Sequence, residues 1–209
     1  GASPAVCDCF VKGRVHHLKK MSNGTRFLPY ATSLRMGPLG YQSDAQSAIS
    51  VSYNNLKSYA QSLYDALTQP YPPYAAIGLS SQGQRIQLSN ALLQIENEFY
   101  GTIRPKQPIQ FGERPLLALN RRGVEYVEVR CVDLDPYEDI GITKETIAFL
   151  DTFLLFCLMS KSSTDSTEED RSNSENQYLI AERGREPNLK LSRDKSHLSV
   201  KEWGQDILE

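Results

Sequence analysis

Two segments of this 209-residue chain alternate between apolar and polar residues, and that alternation limits the fold more than any other feature. Successive side chains of a strand point to opposite faces, so a period of two predicts a strand with one buried face. The segment VEYVEVRCVD spans Val124–Asp133. Its apolar face consists of Val127, Val129 and Cys131, and its polar face consists of Tyr126, Glu128 and Arg130.

The second segment, from Ala91 to Tyr100, has the same pattern with a denser charge. One predicted face carries Leu93, Ile95, Asn97 and Phe99, and the other carries Gln94, Glu96, Glu98 and Tyr100. Two strands of this kind could form the wall of a cavity.

The polar faces have two interpretations. An antiparallel sheet often exposes one face to water, which would explain the charges without any ligand. Glutamate together with arginine, tyrosine and glutamine also suits a hard cation beside a phosphate group. Glu128 and Arg130 stand two residues apart, which is about 6.5–7 Å along a strand and allows both to grip one ligand. The alternation alone leaves both interpretations open.

Other segments predict helices and a hairpin. Residues 54–68 place apolar side chains at helical spacing, and the prolines of QPYPPY end that helix. AAIGLSSQGQRIQLS predicts a hairpin with Gly83 near its turn. A buried helix is predicted from Lys144 to Ser160, and a weaker one from Asn176 to Arg183. Few helices separate the strands, so the order of elements favours an α+β fold with a mostly antiparallel sheet.

Composition excludes several classes of partner. A net charge of −2 and a pI of about 6.0 provide no basic surface for nucleic acid. No apolar run approaches the ~18 residues of a membrane span, so no membrane partner is expected. The segment GASPAVCDCF lacks the regions of a signal peptide. The missing initiator methionine, and the apparent start of a helix in SVKEWGQDILE, suggest that both ends are cut from a longer chain.

The cysteines give little sign of a metal centre. Cys7 and Cys9 form a C-x-C pair without a matching pair downstream, which is a poor zinc signature. Cys131 and Cys157 lie in apolar runs and are predicted to be buried. A reducing compartment is the simpler assumption for such a chain.

Several long motifs resemble one enzyme family. The motifs QIENEFYGTIRPK and RRGVEYVEVRCVDLDP occur in the order of the proteobacterial glutamate–cysteine ligases, with GASPAVC and FLPYATSLRMGPLGYQS before them. The resemblance runs from Gly1 to about Met159 and continues more weakly through YLIAERGREPNLKL. It implies a glutamine-synthetase-like catalytic domain, with helices packed on a curved, mostly antiparallel sheet.

The resemblance also implies a reaction. Such a ligase, an enzyme of the cytoplasm, uses ATP and Mg²⁺ to activate the γ-carboxylate of glutamate as an acyl phosphate. The amine of cysteine then attacks, which gives γ-glutamylcysteine, ADP and phosphate in the first step of glutathione biosynthesis. The implied partners are therefore small molecules: glutamate, cysteine and ATP.

Five residues match family positions with a role. The resemblance implies that Glu128 binds magnesium and that Arg130 contacts the transferring phosphoryl group. It implies that Arg35 binds the acceptor carboxylate and that Tyr41 and Tyr100 line the cysteine pocket. The structural alternatives are a surface salt bridge for Arg35 and ordinary packing for the two tyrosines.

The resemblance further implies that only part of an enzyme is present. Residues 1–160 would belong to the catalytic domain and residues 177–209 to a truncated C-terminal helical part. Between them, residues 161–176 are serine-rich and charged and cannot bury apolar area, so their composition predicts a polar linker or mobile loop. The family's other magnesium carboxylates belong to a segment upstream of this one. Two alternatives stay open: a γ-glutamyl ligase for another amine, or a non-catalytic binding module that lacks those carboxylates.

Overall fold

The computed structural model describes residues 4–13, 16–40, 44–47, 49–130, 132–194 and 196–209. The helices are α1 (Asp8–Val11), α2 (Asp44–Ser47), α3 (Leu56–Thr68), α4 (Pro72–Ile77), α5 (Pro115–Arg122), α6 (Lys144–Met159), α7 (Thr167–Arg183) and α8 (Val200–Leu208). The strands are β1 (Ala5–Cys7), β2 (Lys19–Met21), β3 (Thr25–Phe27), β4 (Ser80–Ser81), β5 (Gln84–Arg85), β6 (Ile103–Lys106), β7 (Tyr126–Val129), β8 (Lys190–Arg193) and β9 (Ser196–Ser199). The helices with antiparallel strand pairs confirm the predicted α+β class.

The chain forms two compact units, one of residues 42–132 and the other of residues 1–41 and 133–209. The unit of residues 42–132 has its core between α3 and α5. Asn55 caps α3 by accepting the N–H of Ser58 at 2.9 Å, which fixes the helix start within two residues of the prediction. The buried core side chains are Tyr59, Ala60, Leu63, Ala66, Leu93, Leu116 and Leu119. Each buried leucine among them contributes about 1.5–3 kcal/mol of apolar transfer free energy.

The predicted strand from Ala91 to Tyr100 is wrong. A 3-10 turn occupies Glu96–Glu98, and Glu96 is buried with only 8% of its surface exposed. One Glu96 oxygen accepts the N–H of Leu116 at 2.7 Å, and the other lies 2.9 Å from Arg114 Nε. Glu98 accepts the N–H of Gln94 at 2.6 Å. The Glu98 carboxylate thus bonds a backbone group four residues before it, and the Glu96 carboxylate bonds the first turn of α5, so neither is free to line a cavity as a strand residue.

The second predicted strand forms over a shorter range. The strand β7 covers only Tyr126–Val129 and pairs antiparallel with β6, which places Glu128 opposite Arg104 and Tyr126 opposite Lys106. Beyond the strand, the N–H of Arg130 still donates to the carbonyl of Thr102 at 2.9 Å. The register therefore keeps Glu128 and Arg130 on the same side of this β6–β7 ribbon, as their alternation predicted.

A small hairpin lies in the same unit. The pair β4–β5 turns through Gln82 and Gly83, both of which have positive φ, as a tight hairpin turn requires. This confirms the turn that was predicted at Gly83. The residues before the hairpin form α4, which starts at Pro72 because proline is well suited to a first helical position.

The other unit combines a small sheet with the C-terminal elements. Its sheet has the antiparallel order β1-β3-β2. The helix α7 packs against the loop of residues 31–36, where Thr32 Oγ1 donates to the carbonyl of Ile180 at 2.6 Å. Arg185 also donates from Nε to the carbonyl of Ala31 at 2.9 Å. The C-terminal residues thus hold the loop that carries Arg35.

The predicted linker of residues 161–176 is largely helical. Only Lys161–Ser166 lack regular structure, and Ser166 caps α7 by accepting the N–H of Glu169 at 3.2 Å. Three acidic residues in the first turn of α7 stabilise the helix, because their negative charges lie at the positive end of its dipole. The structure therefore starts this helix nine residues before the predicted Asn176. The predicted boundaries of the catalytic domain at residue 160 and of the C-terminal part at residue 177 stay predictions.

Two predictions about cysteines are also corrected. Cys7 and Cys9 form a disulfide, which was not predicted. Cys157 was predicted to be buried, but it is exposed on α6. The helix α6 has the predicted length, yet it was predicted to be buried and none of its sixteen residues, all of them described, is buried. Cys131 lies outside the described residues.

One ion pair predicts how stability depends on pH. Arg122 donates to both carboxylate oxygens of Glu113 at 2.8 and 2.7 Å, and Arg122 Nη2 also donates to the carbonyl of Pro108. The Arg122 hydrogen bonds, aided by the N–H of Gln110, lower the pKa of Glu113 to about 2 from an ordinary value of 4.5. A lowered pKa in the folded state stabilises the fold above the ordinary value, and this contribution is lost as the pH falls toward 2.

We therefore expect Glu113→Gln to lower the midpoint temperature of unfolding at pH 7. The difference from the unsubstituted chain should shrink between pH 4.5 and about 2, where Glu113 becomes protonated in both states. Thermal melts followed by circular dichroism across this range test the expectation. Glu125→Gln, at an exposed position, is the control. A difference that stays constant with pH would contradict it.

Candidate active site

The polar face of the β6–β7 ribbon combines positive charge with one carboxylate. Directly paired residues of an antiparallel ladder share a face. The register therefore groups Arg104, Lys106, Tyr126 and Glu128, and Arg130 continues the same parity. Three cations and one carboxylate give this face a net charge of +2, which favours a polyanionic ligand such as a chain of phosphates.

Glu128 has one oxygen that is only partly satisfied. Its Oε2 lies 3.3 Å from Lys106 Nζ, yet it is out of contact with solvent and accepts no hydrogen bond from the described residues. The side chain as a whole is 40% exposed, so part of it reaches open space. A hard cation could occupy this position, because Mg²⁺ binds through one or two carboxylates together with substrate phosphates and water.

Arg104 has a structural role on the same face. It is buried, its guanidinium donates to the carbonyl of Glu96 at 3.5 Å, and it lies near the side chain of Tyr59. Burial raises the pKa of Tyr59, and it raises the pKa of Tyr53 to about 12. Both hydroxyls therefore stay neutral at physiological pH. Because Arg104 is buried and bonds within the protein, Lys106 is the better candidate of the two for a phosphate contact.

Arg130 and Tyr100 lie at the same end of the ribbon. The backbone of Arg130 bonds Thr102, which follows Tyr100 by two residues. The N–H of Tyr100 donates to the side chain of Gln46 at 3.1 Å, and the Tyr100 side chain is 46% exposed. Within this unit, the structure thus brings together three of the five predicted site residues: Tyr100, Glu128 and Arg130.

Arg35 belongs to the other unit. It lies on a 3-10 turn, Leu34–Met36, and its Nη1 is 3.5 Å from Oδ1 of Asp133. The Asp133 side chain is only 12% exposed, whereas one third of the Arg35 side chain is exposed. A shielded carboxylate therefore fixes one edge of a guanidinium that still reaches solvent. Tyr41, the remaining predicted residue, lies outside the described residues.

One contributor, Asp133, was missed as a site residue. Asp133 was predicted only as the end of a strand, and the sequence provides no spacing that links it to Arg35. Lys106 stands two residues after Arg104, so strand parity could have placed both on one face if the strand at Ile103 had been recognised. Across the described ranges, no three His, Cys, Asp or Glu side chains are grouped so that they could hold a metal. Glu128 would therefore be one ligand among several.

Comparison with known proteins gives a consistent result. Residues 1–180 match the family model described as glutamate-cysteine ligase. The whole chain is 50% identical to glutamate–cysteine ligase of Janthinobacterium sp. (strain Marseille) and 49% identical to that of Hahella chejuensis. It covers 40% and 41% of those two proteins.

A solved structure matches as well. The crystal structure of glutamate–cysteine ligase from Francisella tularensis in complex with AMP superposes with a TM-score of 0.91 at 42% identity. The match covers 99% of this chain and 42% of that one. The chain therefore spans about two fifths of the length of the relatives it matches. Among the helices of the described ranges, none is long and apolar enough to cross a membrane.

Proposed function

Because this chain belongs to the glutamate–cysteine ligase family, we propose that it forms part of the site for ATP-dependent ligation of glutamate to cysteine. The observation that carries this proposal is the polar face of the β6–β7 ribbon. Glu128 lies beside Lys106 on this face, and strand alternation puts Arg130 on the same face. We place the reaction in the cytoplasm, as the first step of glutathione biosynthesis.

Glu128 is the proposed magnesium ligand. Its shielded Oε2 has a lone pair without a hydrogen bond from the described residues, and Mg²⁺ prefers carboxylate oxygen. When bound, the metal would neutralise charge on the phosphates of ATP. Lys106 holds the carboxylate in place and adds a second positive charge near the same phosphates.

Arg130 is the proposed catalytic residue. Phosphoryl transfer from ATP to the γ-carboxylate of glutamate places negative charge on the transferring group, and a preoriented guanidinium stabilises that charge. The backbone bond from Arg130 to Thr102 fixes the start of its side chain. ADP leaves, the cysteine amine attacks the acyl phosphate, and phosphate departs.

The acceptor carboxylate is assigned to Arg35. A guanidinium binds a carboxylate through two parallel hydrogen bonds, and the ion pair with Asp133 orients Arg35 before the ligand arrives. Tyr100 is proposed to contact cysteine through its exposed side chain. Tyr41 is assigned to the same pocket on the resemblance alone.

The test is ATP turnover in a chimera. In this chimera, the present chain replaces the matching segment of the Janthinobacterium ligase, which is 50% identical to it. The proposal predicts release of ADP only when glutamate and cysteine are both present. Turnover without cysteine would contradict it, and turnover with other amines in preference to cysteine would identify a different γ-glutamyl ligase.

We expect Glu128→Gln in the chimera to raise the Mg²⁺ concentration needed for half-maximal activity by about tenfold or more, because a neutral amide replaces an anionic ligand. Activity is measured against Mg²⁺ at a fixed ATP concentration. Glu125→Gln is the matched control, since Glu125 is exposed and lies three residues away. Equal Mg²⁺ dependence in both variants would remove Glu128 from the metal site.

We also expect Arg35→Ala to raise the KM for cysteine about tenfold or more while the KM values for glutamate and ATP change little. The lost charge-assisted bond is worth roughly 1.5–3 kcal/mol. Arg26→Ala is the control, because Arg26 is half-buried and paired with Asp8 but has no assigned ligand. A similar rise in all three KM values would mean that Arg35 only supports the fold.

A further inference from the structure

The second half of α6 carries an apolar surface that nothing in the described chain covers. Leu155, Phe156, Cys157, Leu158 and Met159 are consecutive, and all five are exposed. Leu158 and Met159 are 78% and 84% exposed. The segment before the helix adds three more exposed apolar side chains, those of Leu134, Tyr137 and Ile140. Folded proteins seldom leave so large a contiguous apolar area in water.

The arrangement of these side chains indicates the shape of the partner. Five consecutive helical residues advance by about 100° each, so they point around the whole circumference of the helix. A flat contact covers one stripe of a helix and would leave the rest exposed. A helix that is apolar on all sides is typical of a protein interior. The occupant must therefore enclose the end of α6.

The length of the relatives indicates what that occupant is. They contain this segment within chains about two and a half times as long, since the chain covers 40% of one relative and 42% of the solved structure. The segment keeps its conformation there, with a TM-score of 0.91. We propose that α6 is a docking helix whose C-terminal half is enclosed by an apolar pocket in the part of the ligase fold that lies outside this segment. This inference rests on family membership and is independent of catalysis.

Two other occupants fit less well. A second copy of the chain would meet α6 across one face, which leaves the opposite side of Leu155–Met159 in water. A membrane needs ~20 apolar residues, whereas α6 has sixteen and includes Asp151 and Lys144. Both alternatives are outcomes of the test.

Cys157 provides the measurement, because it is a free thiol in the middle of the exposed run. Iodoacetamide labelling is followed by peptide mapping, so that Cys157 is read separately from the other cysteines. The rate is measured in the 209-residue chain, in the folded Janthinobacterium chimera and in the same chimera in denaturant. We expect the folded chimera to label at least about 100-fold more slowly than the denatured one, since labelling then requires local opening.

The expected result for the 209-residue chain is fast labelling. Equal labelling rates in the folded and denatured chimera would overturn the proposal. Protection of the 209-residue chain by phosphatidylcholine vesicles, with a reactive thiol in the folded chimera, would identify a lipid surface instead. Protection that appears only as the chain concentration rises, again with a reactive thiol in the chimera, would identify a second copy.

A second measurement does not depend on the thiol. The double substitution Leu155→Glu and Leu158→Glu should lower the midpoint temperature of the chimera by about 10 °C or more, because two charges would enter an apolar pocket. The same substitution should leave the midpoint of the 209-residue chain unchanged and raise its solubility. An unchanged midpoint in the chimera would overturn the proposal even if the thiol result were in its favour.

Discussion

Replacing Arg130 by alanine is expected to lower the rate of ADP release by the chimera about 10²-fold or more. By strand parity Arg130 continues the cationic face of the β6–β7 ribbon, which is our proposed place for the transferring phosphoryl group and its developing negative charge. Its backbone is fixed by the bond to Thr102, which fixes where the side chain starts. The loss should appear mainly in kcat, because the interaction strengthens in the transition state.

Two further variants separate charge from geometry. Arg130→Lys keeps the charge but loses the planar fork, so an intermediate rate is expected. Arg121→Ala removes an exposed arginine from α5 and should leave the rate near that of the unsubstituted chimera. A rate for Arg130→Ala that matches Arg121→Ala would mean that Arg130 does not act on the phosphoryl group.

The 209-residue chain alone is expected to show no ATP hydrolysis that depends on cysteine. Glu128 and Arg130 are present, but the described part of the chain has no cluster of three carboxylate, histidine or cysteine side chains for a metal. Mg²⁺ gives up its water reluctantly and needs a near-octahedral set of oxygens, which Glu128 can supply only in part. The relatives carry about three fifths of their length outside this segment.

The measurement is ADP release by the purified chain with glutamate, cysteine, ATP and Mg²⁺, beside the chimera as the positive control. Robust ligation by the chain alone would mean that its own residues complete the metal site. Glu125 would then be the first residue to replace. Glu96 and Glu98 are less suitable, because their oxygens already accept the N–H groups of Leu116 and Gln94.

Strand alternation predicted which residues share a face better than it predicted the strands. Glu128 and Arg130 keep the predicted parity, because a period of two fixes parity even where the strand is only four residues long, but Val127 on the predicted buried face is 44% exposed. The same pattern failed from Ala91 to Tyr100, where polar residues alternate just as regularly. There the backbone forms a 3-10 turn at Glu96–Glu98, the Glu98 carboxylate bonds Gln94, and the Glu96 carboxylate caps the start of α5 at Leu116. A sequence pattern cannot separate a carboxylate that caps a helix from one that faces a ligand.

The helices were also predicted unevenly. The predicted limits of α3 and α6 agree with the structure to within two residues. The acidic, serine-rich start of α7 appeared unable to pack, yet Ser166 and three acidic residues stabilise its N-terminus through local interactions. Asp133 beside Arg35 could not be predicted, because residues about a hundred positions apart meet only through the tertiary fold. Composition provides no signal for such a contact.

The most direct test of the central claim is the path of oxygen during turnover of the chimera. Glutamate labelled with ¹⁸O in its γ-carboxylate is supplied with cysteine, ATP and Mg²⁺, and the released phosphate is analysed by mass spectrometry. If the site activates the γ-carboxylate as an acyl phosphate, one ¹⁸O atom passes to phosphate for each γ-glutamylcysteine formed. Phosphate without ¹⁸O, at a rate equal to product formation, would contradict the proposed ligase mechanism.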